Sequence, residues 1–202
     1  MMKSICIIIL AAGESSRMGQ SKQLLTIDDE TLLHRAVKTA LDTEADSVLV
    51  VLGFDHEKHK HALQDQPVEY VVNPQWQKGI GSSIKAGLDR LLQLKPLTEG
   101  VIIMVCDQPF LTTTHLSQLI SIFQKEKKNV VTSTYDGVEG TPTLFNRSLF
   151  DDIYKLADNE GAKKIISQSK SKSHVEFKNG SIDLDTPEEY TNFLLHYKNL
   201  NA

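Results

Sequence analysis

Ile5-Cys6-Ile7-Ile8-Ile9-Leu10-Ala11-Ala12-Gly13-Glu14-Ser15-Ser16-Arg17-Met18-Gly19-Gln20-Ser21-Lys22 is the stretch that decides how this chain is read. The apolar run Ile5–Ile9 predicts a buried strand, and it opens without a spacer into a loop of small residues. A loop of that composition at the carboxyl edge of a sheet leaves many backbone N–H groups free. Such groups suit a triphosphate, because they supply donors and partial positive charge without side-chain bulk. Arg17 and Lys22 add full charges to the same loop. The segment is not a Walker A motif, since Gln20 and Ser21 separate Gly19 from Lys22, and it lacks the three spaced glycines of a dinucleotide fingerprint. A glycine turn that merely joined strand to helix would not explain the two flanking cations.

Outward from this loop, strand candidates alternate with helical stripes. The strands are Ile5–Leu10, Ser47–Leu52, Val68–Val72, Val101–Cys106 and Val130–Ser133. Leu32, Leu33, Ala36, Val37, Ala40 and Leu41 trace one stripe, Ile84, Leu88, Leu91 and Leu92 a second, and Leu116, Leu119, Ile120 and Phe123 a third. The alternation predicts an α/β fold with a doubly wound, mostly parallel sheet in a three-layer α/β/α arrangement, and ligands at the strands' carboxyl ends. In the last third, Gly140–Phe145 reads as a loop entering a short strand. Phe150–Ala157 and Glu160–Ser167 read as helices, His174–Phe177 and Ile182–Leu184 as short strands, and Pro187 opens a final helix. No linker, repeat or low-complexity tract divides the 202 residues, so a single domain over 1–202 is expected.

Composition is that of an ordinary globular protein, with 40% apolar and 24% charged residues. The net charge of −4, from 22 basic and 26 acidic residues, argues against a general nucleic-acid binder and for locally placed cations. Cys6 and Cys106 lie in apolar runs and read as buried, reduced thiols. Met1-Met2-Lys3 precedes too short an apolar stretch for a signal segment, and no run approaches a membrane span, so the cytoplasm is the expected location.

Three further segments bear on chemistry. Asp107 follows the run Val101–Cys106, which should bring its carboxylate to the same sheet edge as the loop. A carboxylate there suits Mg²⁺, which takes most of its ligands from water and phosphate, although a turn or cap aspartate fits as well. Asp183 and Asp185, two apart on the expected strand Ile182–Leu184 and its end, would share a face and look toward one ion. Asp185 is the first choice and Asp183 the second, with helix capping ahead of Pro187 as the alternative. Asn73–Leu88 joins a strand end to a helix starting near Ser82. Gly79 and Gly81 would admit a flat base and Ser83 would offer a hydroxyl to its edge, with Trp76 as packing. By contrast, His56-Glu57-Lys58-His59-Lys60-His61 lacks the His-Glu-x-x-His spacing of a zinc helix and reads as a solvated helix face.

The opening loop resembles the signature of the MobA-like nucleotidyltransferases, L-A-[AG]-G-x-S-x-R-M-G-x-x-K, at every fixed position. Cys106-Asp107-Gln108-Pro109 resembles that family's metal motif, closest to its molybdopterin cytidylyltransferase branch. Asp183-Leu184-Asp185-Thr186-Pro187-Glu188-Glu189 is similar to its Asp-Ile-Asp-Thr-Pro-Glu-Asp segment, and Asn73–Gly87 to its base-pocket segment. Gly140-Thr141-Pro142 and Glu160-Gly161-Ala162-Lys163 are similar to acceptor-side segments. The latter departs from the relatives' Gly-Asp-x-Gly-Ala-Arg, so Lys163 stands either as an acceptor-phosphate contact or as a solvated lysine.

The resemblance implies a Rossmann-like nucleotidyltransferase fold and transfer of CMP from CTP to the phosphate of molybdopterin-Mo, with release of pyrophosphate. It implies nucleotide binding by Leu10, Ala11, Ala12, Gly13, Ser15, Arg17, Lys22, Asn73, Gly79, Ser83 and Asp107, and catalysis by Arg17, Lys22 and Asp107. Mg²⁺ would be held by Asp107 and Asp185. A molybdenum hydroxylase or its chaperone is the implied recipient, with no nucleic acid or membrane as partner. GTP as donor, or another phosphorylated acceptor, remains open. Ala12 separates the first of these, since guanylyltransferase relatives carry glycine there. A non-catalytic pterin carrier or chaperone is the rival from another class, and such a protein has no use for Arg17, Lys22 and Asp107.

Overall fold

Strand β1 (Ile5–Ala11) is buried along its whole length. Ile5, Ile7, Ile9 and Ala11 enter one core, and Cys6, Ile8, Leu10 and the following Ala12 enter another. A strand apolar at both parities must be covered on both faces, which fixes the three layers. The computed structural model describes residues 3–200. Met1, Met2, Asn201 and Ala202, the outermost residues of the expected 1–202 domain, lie outside the described residues.

After β1 come β2 (Thr26–Ile27), β3 (Glu30–Thr31), α1 (Leu32–Leu41), β4 (Ser47–Leu52), α2 (His56–Leu63), β5 (Glu69–Val72) and α3 (Ile80–Leu94). Then follow β6 (Gly100–Val105), α4 (Thr113–Glu126), β7 (Val130–Tyr135), β8 (Val138–Asn146), α5 (Phe150–Tyr154), α6 (Lys163–Gln168), β9 (Lys172–Glu176) and α7 (Pro187–Leu200). The main sheet has the order β5-β4-β1-β6-β8-β7-β9, and β2 and β3 form a separate hairpin. Strands β5, β4, β1 and β6 are parallel, as are β7 and β9, whereas β8 runs antiparallel to both neighbours. Helices α1 and α4 cover one face through Leu33, Val37, Leu116, Ile120 and Phe123. Helices α3, α5 and α6 cover the other through Ile84, Leu88, Leu91, Ile153 and Ile165. Gly87 lets α3 lie close to the sheet, because a Cβ there would stand 2.7 Å from Val51 Cγ2 and 2.9 Å from Ile8 Cγ2. The doubly wound, mostly parallel sheet expected from the alternation is therefore present.

Two expectations fail for identifiable reasons. Gly140–Phe145 is no loop but the interior of the nine-residue β8. Asp136 and Gly137, with φ of 49° and 75°, make the two-residue turn that folds β8 back on β7. Ile182–Leu184 forms no strand and lies outside both sheets. Leu184 is fully buried in a third cluster with Met18, Leu25, Ile27, Leu32 and Phe193. Burial there, not strand pairing, holds the segment against the signature loop, so the shared-strand-face argument for Asp183 and Asp185 does not hold. A smaller shift concerns α6, which starts at Lys163, with Glu160 and Gly161 in the irregular segment before it. Among the described residues no helix is long and apolar enough to cross a membrane.

His115 on α4 is buried and lies 2.8 Å from Ser133 Oγ, whose own proton goes to Pro142 O at 2.6 Å. Its Nε2 therefore donates. Burial pushes this imidazole down to about 4, against a backbone contact with Glu176 that favours charge. A depressed histidine binds its proton in the unfolded chain first, so stability falls as pH drops from 6.5 towards about 4. Thermal melts across that window should show a smaller pH-dependent loss for His115→Gln, which keeps a donor, than for the unmutated protein. Equal slopes would mean that residue 115 does not titrate as described.

Candidate active site

The chain leaves β1 through Ala12 and Gly13 into an exposed turn whose tip carries Ser15 and Gly19 at φ of 57° and 70°. Among the described residues the backbone N–H groups of Gly13, Glu14 and Ser15 donate to no protein acceptor. A Cβ on Gly13 would meet nothing within 4 Å, so the space beside this residue is open. The loop is held from behind. Met18 sits in the third apolar cluster. Gln23, 2% exposed, donates to Gly13 O at 3.0 Å and accepts from Ser21 Oγ at 2.7 Å. Ser15 Oγ donates to Gln23 and accepts from the Lys22 N–H at 3.2 Å, so this hydroxyl serves the loop's own shape.

At the mouth of the loop, Lys22 Nζ touches both Asp107 and Asp185, the latter at 2.8 Å, and Arg17 reaches the other oxygen of Asp185. Burial weakens the Lys22 charge, but Asp107 and then Asp185 outweigh it and hold the ammonium well above the ordinary lysine value. Asp185 is correspondingly lowered, by its hydrogen bond from Lys22 first and by Arg17 further. Asp183 behaves oppositely. Partial burial, and then the charges of Asp107 and Asp185, raise it to about 6.

The capping alternative for Asp185 is settled by its neighbour. Thr186 Oγ1 accepts from Glu189 N at 3.2 Å, and Glu189 reaches back to Thr186 N at 2.8 Å and Asp185 N at 3.0 Å. This reciprocal box caps α7 and leaves the Asp185 carboxylate to the cations. Among the described residues no three His, Cys, Asp or Glu side chains form a ready-made metal cage. Asp107 and Asp185 nevertheless meet on one ammonium nitrogen, and two hard oxygen donors so placed fit a small divalent cation that takes its other ligands from water and phosphate.

Two clefts converge here. One, of about 340 Å³, is lined by Ala12, Gly13, Lys22, Trp76, Gly79 and Ser83. The other, of about 410 Å³, has an apolar floor of Ile84, Ile103, Phe145 and Ile166 and a polar mouth that includes Tyr135, Thr141, Lys163 and Asp183. Leu10, Ile80, Val105 and Asp107 line both. Asn73 supports the first cleft from behind: its amide donates to Ser82 Oγ at 2.9 Å and Ser83 Oγ at 3.1 Å, and its oxygen accepts from Gln75 N at 2.9 Å. Gly79, at φ 119°, is required where it stands, since a Cβ would lie 2.7 Å from Asn159 Cα and 2.8 Å from Asp158 O. Lys85 ties the same corner down through Asp158 at 2.7 Å and Leu156 O at 2.9 Å.

The sequence reading missed Gln23 and misjudged His59. Helix α2 is largely solvated as expected, yet His59 is fully buried with its Nε2 2.7 Å from Ser21 Oγ. Burial first, and the neighbouring His56 and Lys58 charges further, lower this imidazole against the opposing pull of Asp55. The available signal was the four-residue step from His59 to Leu63, the two buried positions of α2. Cys6 and Cys106 are free and buried as expected, and burial pushes Cys106 up to about 12, which makes it a poor nucleophile.

The model of the MobA-like NTP transferase domain matches residues 7–174. Purine catabolism protein PucB of Bacillus subtilis is 30% identical over 195 residues, covering 91% of this chain and 92% of that one. Molybdenum cofactor cytidylyltransferase of Escherichia coli is 27% identical over 195 residues, covering 94% and 95%. The Mycobacterium tuberculosis protein Rv0371c superposes with a TM-score of 0.84 at 25% identity over 96% of this chain and 99% of that one. Its manganese complex superposes at 0.78, with 24% identity over 96% and 99%.

Asp185→Asn separates the roles of this carboxylate. With Thr186 and Glu189 forming the cap, and an exposed ion pair contributing about 1 kcal/mol or less, the melting temperature should change little. Nucleotidyl transfer should fall on the order of tenfold or more, and the divalent-cation requirement should rise. Asp183→Asn should give the smaller kinetic loss. Cation titrations of both variants check the ranking, and an unchanged titration for Asp185→Asn would remove it from the metal site.

Proposed function

The chain belongs to the MobA-like NTP transferase family, and on that premise we propose that it transfers CMP from CTP to the phosphate of a molybdopterin-type acceptor, releasing pyrophosphate. The observation that carries this reading is the meeting of the two clefts at Asp107. A donor nucleotide in the Gly79–Ser83 cleft and an acceptor in the larger cavity would bring their reacting phosphates together beside Lys22 and Asp107. The acceptor phosphate is already anionic near neutral pH, so the reaction needs positioning and charge neutralisation more than a base. Free N–H groups at Gly13 to Ser15 suit the triphosphate, and Arg17 and Lys22 suit the charge that develops on the α-phosphate and pyrophosphate. Asp107 and Asp185 would hold Mg²⁺, whose contribution when bound is to neutralise phosphate charge and align the reacting oxygens.

Two features favour this substrate pair over its rivals. Ala12 lines the nucleotide cleft, and a methyl at this turn, where guanylyltransferase relatives carry glycine, leaves less room for a purine. The acceptor cavity is floored by isoleucine and phenylalanine, which suits a flat heterocycle better than a sugar phosphate rich in hydroxyls. The name of the E. coli relative points the same way. The reading takes 1–202 as one catalytic domain working in the cytoplasm, and a molybdenum hydroxylase or its chaperone as the recipient of the product.

Pyrophosphate release with CTP, GTP, ATP and UTP, each with Mg²⁺ and with or without molybdopterin, tests the proposal. The highest kcat/KM should belong to CTP and should require the pterin. Asp107→Ala should abolish turnover while leaving the fold intact. A higher kcat/KM for GTP, or turnover on a sugar phosphate alone, would overturn the assignment.

A further inference from the structure

We propose that Gln23 is a positioning residue that sets the shape of the phosphate-binding loop, and that it is anchored to the scaffold by a hydrogen-bond relay through Ser21 to His59 on α2. The inference rests on the reading of the Gly13–Ser15 segment as a phosphate cradle. Gln23 is nearly inaccessible, and its amide engages three points of the loop and the last residue of β1. Nε2 donates to Gly13 O at 3.0 Å and to Ala11 O at 3.5 Å, while Oε1 accepts from Ser21 Oγ at 2.7 Å and Ser15 Oγ at 3.3 Å. The peptide group is planar, with C=O and N–H on opposite sides. Drawing the Gly13 carbonyl inward therefore turns the Glu14 N–H outward, and the Glu14 N–H has no protein acceptor among the described residues. Lys22 lies between Ser21 and Gln23, so the same bonds fix the backbone from which its ammonium reaches Asp107 and Asp185.

The direction of the relay follows from counting protons. The Ser21 hydroxyl gives its proton to Gln23 Oε1, so His59 Nε2 must be the donor across the 2.7 Å contact to Ser21 Oγ. Its Nδ1 is then an unprotonated acceptor, buried and without a partner among the described residues. An apolar side chain would fill position 59 without that unsatisfied atom. What the imidazole supplies is one N–H aimed at Ser21, carrying the loop's geometry back to a helix that touches neither cleft.

Inorganic tripolyphosphate with Mg²⁺, measured by titration calorimetry, reads the cradle without involving base or acceptor. Gln23→Met keeps the volume and removes every hydrogen bond, and its dissociation constant should rise about tenfold, the order of one lost hydrogen bond. His59→Leu should weaken binding less, and His59→Gln, which keeps a donor, should stay near the unmutated value. A Gln23→Met protein that melts earlier but binds tripolyphosphate normally would show that Gln23 only packs, and would overturn the inference. If Gln23→Met does not fold, His59→Leu decides, since an unchanged dissociation constant there overturns the relay. Failure of the unmutated protein to bind tripolyphosphate would overturn the cradle and this inference together. Tripolyphosphate binding without turnover of CTP would sink the proposed function alone.

Discussion

Neither face of β1 can meet water, and most of the molecule follows from that constraint. A central strand with isoleucine at both parities is stable only between two layers of helix, and its parallel neighbours then need crossover helices that return each chain to the same edge. As a result β1, β4 and β6 all end on one rim. The signature loop, the Gly53 turn and Asp107 stand side by side there, although they are widely separated in sequence.

The C-terminal segment is not part of that sheet logic and reaches the rim by a different force. Met18, Leu25 and Ile27 from the loop region would be exposed apolar surface without Leu184 and Phe193, and those two would be exposed without the loop. Their mutual burial places Asp185 against Arg17 and Lys22, and the Tyr190 hydroxyl donating to Thr26 O at 2.6 Å fixes the register. The charged centre is thus assembled by an apolar contact a few residues away from it. The ion pairs alone, partly open to solvent, are too weak to do this.

How legible each part was follows from whether its cause is local. The β1 run, the loop composition and the helical stripes are local, and the fold class and the charges of the site could be read from them directly. Strand β8 was half-visible: its end reads as a short strand, while the hairpin signal Asp136-Gly137 was not used. Ile182–Leu184 alternates as a strand does, yet it pairs with neither sheet, and tertiary burial of Leu184 holds it in place. Gln23 and His59 gave almost no warning. Each is a polar residue in a polar stretch, and each acquires its meaning only when α2 is laid against the loop by the fold.

Arg17 and Lys22 are opposed by Asp107 and Asp185, and Asp183 stands as a third carboxylate close enough to be raised by both of these. That opposition bears on how a nucleotide would be received. A bare triphosphate drawn to the two cations would be repelled by the two carboxylates within the same few ångströms, and in a partly buried cleft such terms are poorly screened. Lys22 satisfies both carboxylates only by being unavailable to phosphate. Under the proposed function, a substrate that brings its own divalent cation removes the conflict. The carboxylates would gain a counter-ion, and the ammonium would be freed for the phosphates. On that reading the arrangement would favour a nucleotide arriving with its metal over either arriving alone, with the same two carboxylates keeping Lys22 ordered until then.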